Sequence, residues 1–370
     1  MKLAAVFPSK YIQGPGVLAE IASLIAPYGC KKPLLMWGKR TRAAASEIVF
    51  KSLKDAGMEY VERMLPGECT HEECAKIVGE VKENGCDIII GLGGGKALDL
   101  SKAVANHAGL RNVIVPTAAS SDAPTSACTV WYNEDGSFNS FELWPANPEI
   151  ILVDTAICIT APLHMFIAGV GDALATYVEA KACYMTHAIA CSGGAPTLTA
   201  MAMAKLCYDT LVEYTPMAID AIKAGSVTPA FEKVVEATTL LSGIGWESCG
   251  VATAHVIGNS FADFPEAHHH MHGEKVAFGI VTQLMLDMDV DRDFIYKTVD
   301  FMIENGLPVT LADLDMQDVS KERLYDWCVG QCYPGNNMEH HNFEVTPKVL
   351  FDAILQADEF ARRRKIELGK

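Results

Sequence analysis

The chain has 370 residues, of which half are hydrophobic and 21% are charged, and its formal net charge at pH 7 is −16. The length predicts two domains with a large buried core. The acidic balance opposes binding to nucleic acid or to anionic lipid, so we expect a protein that acts on small molecules and has neither nucleic acid nor membrane as a partner. The longest apolar region, residues 150–170, is interrupted by Asp154, Pro162 and His164, and a membrane span needs about 20 apolar residues.

The N-terminus and the cysteines indicate where the protein works. The apolar run that ends before Pro8 is too short for a secretory signal, which favours a cytoplasmic location. The 12 cysteines lack the spacing of a disulfide framework or of a structural zinc site. We expect them to be free, mostly buried thiols.

Residues 1–158 alternate short apolar runs with helical patterns. This alternation is typical of a mostly parallel sheet covered on both faces, and it predicts a Rossmann-like α/β domain that binds a dinucleotide. The predicted strands cover residues 33–37, 87–91, 112–115, 128–132 and 149–153. The predicted helices cover residues 17–26, 71–84 and 96–108.

Residues 159–370 have a different pattern. Glycine becomes sparser, Ala, Met and Leu dominate, and the hydrophobic period becomes helical, which predicts an all-α C-terminal domain that binds a metal. Thr160, Ala161 and Pro162 precede its first long helix. The predicted helices cover residues 168–185, 197–214, 229–243, 252–261 and 275–287.

A glycine-rich turn follows the predicted strand 87–91. It contains Gly93, Gly94 and Gly95 and is followed by Lys96 at the start of a predicted helix. Glycines let the backbone approach a pyrophosphate, and the N–H groups of a helix N-terminus bind its negative charge. The pattern is neither the G-x-G-x-x-G fingerprint nor a P-loop, and a plain strand–helix connection is the alternative. Because a connection needs fewer glycines, we favour a nucleotide-phosphate site.

A second polar loop, residues 115–126, follows the predicted strand 112–115. In an open parallel sheet ligands bind beyond the carboxyl ends of the strands, and both loops lie at such ends. Small hydroxyl side chains with one carboxylate, Asp122, suit hydrogen bonds to a cofactor amide or to a polyol. Loops rich in Ser and Thr are common, so this loop alone indicates little.

Four histidines, His268, His269, His270 and His272, lie within five residues. Imidazole is a common metal ligand, but a solvated polar loop is an equally good interpretation of the run alone. Asp172 lies in an otherwise apolar helical stretch, and His255 lies alone in another. Each has an ordinary structural explanation by itself. Together Asp172, His255 and His272 supply a carboxylate and two imidazoles, which bind a divalent metal and leave positions open for water or substrate.

These motifs, in this order, resemble the glycerol dehydrogenase branch of the iron-containing (group III) alcohol dehydrogenases. The resemblance runs over nearly the whole chain and implies a dehydroquinate synthase-like architecture. It is carried by residues 10–14, by 93–96 with Asp99, and by residues 121–124, 171–176 and 267–279.

The resemblance also implies the roles of individual residues. The metal, expected to be Zn²⁺ with Fe²⁺ also compatible, would be held by Asp172, His255 and His272. Asp122 would contact the diol substrate and completes the catalytic set. The implied contacts to a nicotinamide cofactor are Gly94, Gly95, Lys96, Thr117, Ser120, Ser126, Cys128 and Tyr132. The expected reaction is hydride transfer from a vicinal diol, first glycerol to dihydroxyacetone and then 1,2-propanediol, in a homo-oligomer, commonly an octamer.

The sequence departs from the family pattern at Lys39. After the first strand the family usually has Gly-Asp, whose carboxylate binds the adenosine ribose, whereas Gly38 is followed here by Lys39 and Arg40. An acidic residue at this place favours NAD, and a basic residue can accept a 2′-phosphate. We expect NAD, with NADP as an alternative through Lys39. A solvent-facing Lys-Arg pair is equally compatible.

Other functions remain compatible with the same motifs. Lyases resembling dehydroquinate synthase and glycerol-1-phosphate dehydrogenases share the architecture, but both need cationic side chains around a substrate phosphate. Residues 168–178 and 250–275 contain no Arg and one Lys, Lys275, which favours an uncharged substrate. A dehydrogenase of another small alcohol or aldehyde, and a non-catalytic nucleotide- or metal-binding protein, are the further alternatives.

Overall fold

A computed structural model describes residues 1–65, 67–287 and 289–370. The described chain divides into two units. The sheet unit comprises Val6–Pro162 and Ala218–Leu240, and the helical unit comprises Met1–Ala5, Leu163–Met217 and Leu241–Lys370.

The two units differ from the predicted ranges 1–158 and 159–370 in three places: the sheet unit extends to Pro162, and residues 218–240 and 1–5 change unit. Residues 218–240 belong to the sheet unit because their side chains hydrogen-bond to it. In that unit Gln13 donates to Glu232, and the Thr155 hydroxyl donates to Glu232 Oε1 at 2.6 Å. Residues 1–5 belong to the helical unit, where the Ala195 N–H donates to the carbonyl of Lys2 at 2.9 Å.

Six strands of the sheet unit form one parallel sheet in the order β1-β8-β5-β4-β2-β3. The remaining two, β6 and β7, form a separate antiparallel pair. The strands are β1 (Lys10–Gly14), β2 (Pro33–Trp37), β3 (Val61–Met64), β4 (Ile88–Gly93), β5 (Arg111–Pro116), β6 (Cys128–Tyr132), β7 (Phe138–Leu143) and β8 (Ile150–Asp154).

The sheet is buried on both faces, as parallel sheets with helical crossovers are. Alternate side chains of one strand enter different hydrophobic clusters: Leu35 and Trp37 pack on one side of the sheet, and Leu34 and Met36 on the other. These side chains are at most 2% exposed. The expected α/β fold with a mostly parallel sheet is therefore confirmed.

The α-helices alternate with the strands in the sheet unit and make up most of the helical unit. In the described residues they are α1 (Ile21–Ile25), α2 (Lys39–Asp55), α3 (His71–Asn84), α4 (Gly95–Ala108), α5 (Thr155–Cys158), α6 (Leu163–Thr186), α7 (Leu198–Ala224), α8 (Pro229–Glu236), α9 (Ser242–Cys249), α10 (Thr253–Ser260), α11 (His272–Leu286), α12 (Arg292–Glu304), α13 (Lys321–Gln331) and α14 (Pro347–Glu367).

The predicted elements match best where the sequence is most apolar. The observed β2, β6 and α3 have the predicted bounds. The sequence analysis missed β1, β3, β7 and the helices α2, α12, α13 and α14. The strands β1 and β3 are edge strands with polar side chains, and β7 is largely exposed. The predicted strand 128–132 exists but pairs with β7 rather than joining the parallel sheet.

The predicted helix 229–243 is interrupted in the structure. It ends as α8 at Glu236, continues as a π-helical segment over Ala237–Leu241 and resumes as α9. The twelve cysteines, all within the described residues, are free thiols, and ten of them are buried. Among the described helices, none combines the length and apolar character that crossing a membrane requires.

Candidate metal centre and cofactor-binding loops

Three helices of the helical unit bring Asp172, His255 and His272 together. Asp172 lies on α6, His255 lies on α10, and His272 is the first residue of α11. Asp172 Oδ1 is 3.2 Å from His272 Nε2 and 3.5 Å from His255 Nε2. One ligand atom from each residue lies within 4.8 Å of the other two.

These separations fit a divalent metal. Two donor atoms that each lie about 2.1 Å from Zn²⁺ at a tetrahedral angle are about 3.4 Å apart. The two measured separations from Asp172 Oδ1, 3.2 and 3.5 Å, bracket this value. One carboxylate and two imidazoles are also a donor set that Zn²⁺ and Fe²⁺ accept.

The centre is buried on one side and accessible on the other. The Asp172 side chain is fully buried and that of His255 is 10% exposed, whereas the His272 side chain is 42% exposed. A small molecule can therefore approach the donor atoms beside His272.

Glu179 orients His255 and was missed by the sequence analysis. Its Oε2 lies 2.5 Å from His255 Nδ1, so Nδ1 carries the proton and Nε2 is left to face Asp172. Glu179 follows Asp172 by seven residues on α6, which places both carboxylates on one face of the helix. A second acid at this spacing in an apolar helix is the signal that could have identified it.

Neighbouring helices cap the N-terminus of α10. Ala252, its N-cap residue, has no side chain that could accept a hydrogen bond from the first turn. Instead Glu179 Oε1 accepts from the N–H groups of Ala252 and His255, both at 2.8 Å. Gln283 Oε1, from α11, accepts from the Ala254 N–H at 3.1 Å. These bonds satisfy donors that a helix start leaves unpaired and fix His255 against α6 and α11.

Glycines let the helices approach closely enough to form the centre. A Cβ at Gly273, beside His272, would lie 1.9 Å from the Ala168 carbonyl oxygen of α6. A Cβ at Gly171, beside Asp172, would lie 2.5 Å from the Gly273 oxygen. Both separations are far below van der Waals contact, so only glycine permits this packing of α6 on α11.

The electrostatics favour a bound cation. Burial raises the pKa of Asp172, but the charge of His272 and the hydrogen bonds from both imidazoles outweigh it and hold that pKa below its ordinary value. Burial lowers the pKa of His255, but Glu179 and Asp172 outweigh this and raise it well above its ordinary value. The carboxylates that raise the pKa of His255 would attract a divalent cation in the place of its proton.

Separately, the sheet unit places the predicted cofactor loops at the carboxyl ends of neighbouring strands. Gly94 and Gly95 lie at the junction of β4 and α4. The Thr117 N–H, after β5, donates to the Gly93 carbonyl at 3.2 Å. Ser120, further along the same loop, is partly exposed. The two loops therefore lie side by side.

Lys96 and Tyr132 lie together beside the glycine turn. The Lys96 ammonium lies 4.8 Å from the centre of the Tyr132 ring and also pairs with Glu68. The structure thus brings together two residues whose predicted roles are contacts to one cofactor, and it adds Glu68, which the sequence analysis did not consider.

Ser126 and Cys128 are held by a buried lysine rather than presented to solvent. Ser126 is 1% exposed, and its hydroxyl donates to the Ala123 carbonyl at 3.2 Å. The Lys102 ammonium donates to the carbonyls of Ala123 and Cys128 at 2.5 and 3.0 Å and to Asp99 Oδ1 at 3.0 Å. A direct cofactor contact from the Ser126 side chain remains a prediction, and Lys102 was missed.

Two further predicted residues lie at this edge of the sheet unit. Asp122 is buried, at 7% exposure, in the loop after β5. Lys39 is exposed and begins α2 directly after Gly38, whose N–H donates to the Leu92 carbonyl at 2.9 Å. Lys39 therefore starts a helix that is anchored beside β4.

Comparison with known proteins places these features in a family. The "Iron-containing alcohol dehydrogenase" family profile matches residues 8–155. The glycerol dehydrogenase of Citrobacter freundii is 40% identical over 354 residues, covering 95% of this chain and 96% of that protein. The glycerol dehydrogenase of Thermotoga maritima is 39% identical over 365 residues, covering 99% of each chain.

A solved structure agrees with the sequence comparisons. The crystal structure of glycerol dehydrogenase from Schizosaccharomyces pombe superposes with a TM-score of 0.94 at 32% identity, covering 100% of this chain and 93% of that chain. Both the sequence and the fold therefore match over nearly the full length. The chain belongs to the glycerol dehydrogenase branch of the iron-containing alcohol dehydrogenase family.

Proposed function

We propose that this dehydrogenase oxidises a vicinal diol to a hydroxyketone, with glycerol to dihydroxyacetone as the first candidate reaction and 1,2-propanediol as the second substrate. The observation that carries the proposal is the convergence of Asp172, His255 and His272 within 4.8 Å. Its family membership supports the same reaction class.

The proposed metal ligands are Asp172, His255 and His272, with Zn²⁺ as the first candidate and Fe²⁺ as the second. A bound divalent cation supplies Lewis acidity that lowers the pKa of a diol hydroxyl, and a nicotinamide supplies the hydride acceptor. Three protein ligands leave coordination positions for the substrate on the exposed side of His272. Glu179 keeps the proton of His255 on Nδ1 and so reserves Nε2 for the metal.

The scarcity of cationic side chains in the segments that form the centre favours an uncharged substrate. Lys275 is the one Lys or Arg in residues 168–178 and 250–275. It is 5% exposed, and its ammonium donates to the His270 carbonyl at 2.6 Å. This contact commits Lys275 to the backbone, so it is poorly placed to bind a substrate phosphate. A buried carboxylate, Asp122, is the proposed acceptor for the second diol hydroxyl.

The proposed cofactor site is the carboxyl edge of the sheet. The N–H groups at Gly94, Gly95 and Lys96 begin α4 and suit a pyrophosphate. Thr117, Ser120 and Ser126 are the proposed hydroxyl contacts, while Tyr132 and the Cys128 backbone complete the set. NAD is the expected cofactor. Lys39, exposed at the start of α2, is the group that would accept the 2′-phosphate of NADP.

A spectrophotometric assay tests the proposed reaction. Metal-stripped protein is reloaded with Zn²⁺ or Fe²⁺ and mixed with NAD or NADP and either glycerol, 1,2-propanediol or another small alcohol. Absorbance at 340 nm should rise with a vicinal diol only after metal is restored. The reverse direction is tested with dihydroxyacetone and with a small aldehyde. If none of the tested diols, ketones or aldehydes changes the absorbance, the protein is a nucleotide- or metal-binding protein instead.

A charge reversal tests the role of Lys39. Lys39→Asp should raise KM for NADP and lower it for NAD, because the new carboxylate repels a 2′-phosphate and accepts hydrogen bonds from the ribose. Lys54→Asp, an exposed lysine near the other end of α2, is the matched control. If both variants and the parent show the same preference between NAD and NADP, Lys39 does not contact the cofactor.

We also propose that the protein is a homo-oligomer and that it is cytoplasmic, and membership of the family supports both proposals. Light scattering of the purified protein measures the first, and cell fractionation the second.

A further inference from the structure

A second group of possible metal ligands combines two histidines of the turn before α11 with Asp315, which lies in a later turn. His269 Nε2 and His270 Nε2 approach the same oxygen, Asp315 Oδ2, at 3.2 and 3.0 Å. The two imidazole rings lie 4.3 Å apart between centres. One ligand atom from each of the three residues lies within 4.8 Å of the other two. None of the three belongs to the centre formed by Asp172, His255 and His272.

The spacing of these donors matches that of metal ligands. Donor atoms around Zn²⁺ in tetrahedral geometry lie about 3.4 Å apart, so the two measured separations require only small adjustments. The cluster contains two imidazoles and one carboxylate, the same donor types as the first centre. Such a set favours a borderline transition cation such as Zn²⁺ over Mg²⁺ or Ca²⁺, which prefer oxygen ligands.

The surrounding contacts hold His270 in place. Its carbonyl accepts from the buried Lys275 ammonium at 2.6 Å. Its other ring nitrogen, Nδ1, lies 3.5 Å from Glu274 Oε2, and that oxygen accepts from the Met271 N–H at 2.7 Å. The His270 ring thus has a carboxylate oxygen near each nitrogen. This is the kind of outer carboxylate that orients a metal-bound histidine.

Asp315 is presented by an unusual backbone conformation. Its φ is +58°, in the left-handed region that non-glycine residues rarely adopt. Its N–H donates to the Ala312 carbonyl at 3.2 Å and so closes the short 3₁₀ helix Ala312–Leu314. The strained residue is therefore fixed by its own turn, with its carboxylate directed at the two histidines.

We propose that His269, His270 and Asp315 form a second divalent-cation site, selective for Zn²⁺-like transition cations and separate from the first centre. The site is open, because the side chains of His269 and Asp315 are 66% and 59% exposed. It therefore binds more weakly than the buried centre. When filled, it joins the turn that precedes His272 to the turn at Asp315.

Zinc counting on the purified full-length protein tests this site. After the tightly held metal is in place and loose metal is removed, equilibrium dialysis against Zn²⁺ with elemental analysis should show one further equivalent per chain. Asp315→Asn removes the charge, and asparagine tolerates the left-handed backbone, so this variant should fold and lose the further equivalent. His269→Gln should lose it as well.

Asp318→Asn is the matched control. Asp318 is an exposed acid three residues further along the chain, and its substitution should leave the further equivalent intact. The proposal is overturned if the parent takes up no further Zn²⁺, or if Asp315→Asn, His269→Gln and Asp318→Asn all bind as much as the parent. These outcomes differ from failure of the proposed diol reaction, because the metal count depends on no substrate.

Discussion

Glu179 Oε2 lies 2.5 Å from His255 Nδ1, and this contact decides which nitrogen of His255 faces Asp172. The same carboxylate accepts two N–H groups at the start of α10 through its other oxygen. Glu179 therefore has two roles: it caps α10 in the helical unit, and it orients His255 in the candidate centre. Its substitution should change metal binding without removing one of the proposed ligands.

Glu179→Gln is expected to weaken metal binding by roughly 10- to 100-fold, the usual effect of losing a partner that orients a histidine ligand. Glutamine keeps an oxygen for the N–H groups of α10, so folding should be largely retained. Competition with a chromogenic zinc chelator measures the affinity. Glu213→Gln, at an exposed position of α7, is the control. Unchanged zinc affinity in Glu179→Gln would show that Glu179 only caps α10.

His255→Ala is expected to abolish both the tightly bound metal and the dehydrogenase activity, because it removes one of the three proposed protein ligands. Elemental analysis and the assay at 340 nm measure the two effects. His164→Ala, at an exposed position of α6, should change neither. Turnover retained by His255→Ala would refute the role assigned to His255.

Gly273→Ala is expected to lower the free energy of unfolding by about 1–3 kcal/mol, the usual cost of overpacking. The new methyl group would lie 1.9 Å from the Ala168 carbonyl, so α6 and α11 must separate and His272 moves from Asp172. Urea unfolding and metal content measure both consequences.

The matched control is Gly330→Ala on α13, where an added Cβ meets nothing within 4 Å. This variant should be at least as stable as the parent, since alanine favours helical backbone over glycine. Similar unfolding curves for the Gly273 and Gly330 variants would contradict the close packing of α6 on α11.

Lys102→Met is expected to destabilise the sheet unit by about 3–5 kcal/mol, because it leaves Asp99 as a buried charge without its lysine. The loop that carries Ser126 and Cys128 also loses its anchor, so KM for the nicotinamide cofactor should rise. Thermal unfolding and steady-state kinetics measure these effects. Lys76→Met, whose lysine side chain is 67% exposed, should show neither. If Lys102→Met matches that control, Lys102 does not order the loop.

The local sequence predicted those elements whose conformation depends little on which distant segment they pack against. The short apolar run Pro33–Trp37 ends at a glycine, which is typical of a buried strand, and the glycine turn at Gly93–Gly95 follows from its composition. The polar strand Lys10–Gly14 could not be recognised, because its place beside β8 depends on pairing with residues about 140 positions away. For the same reason, the sequence analysis did not group residues 218–240 with the sheet unit.

The sequence by itself determined which side chains could bind a metal: Asp172, His255 and His272 have the required chemistry wherever they lie. Only the tertiary structure decided that they meet, because the approach of α6, α10 and α11 depends on glycine contacts and on caps donated by other helices. It also decided that His269 and His270 turn to Asp315 rather than to Asp172. Such choices rest on packing between distant segments, which no local pattern of residues encodes.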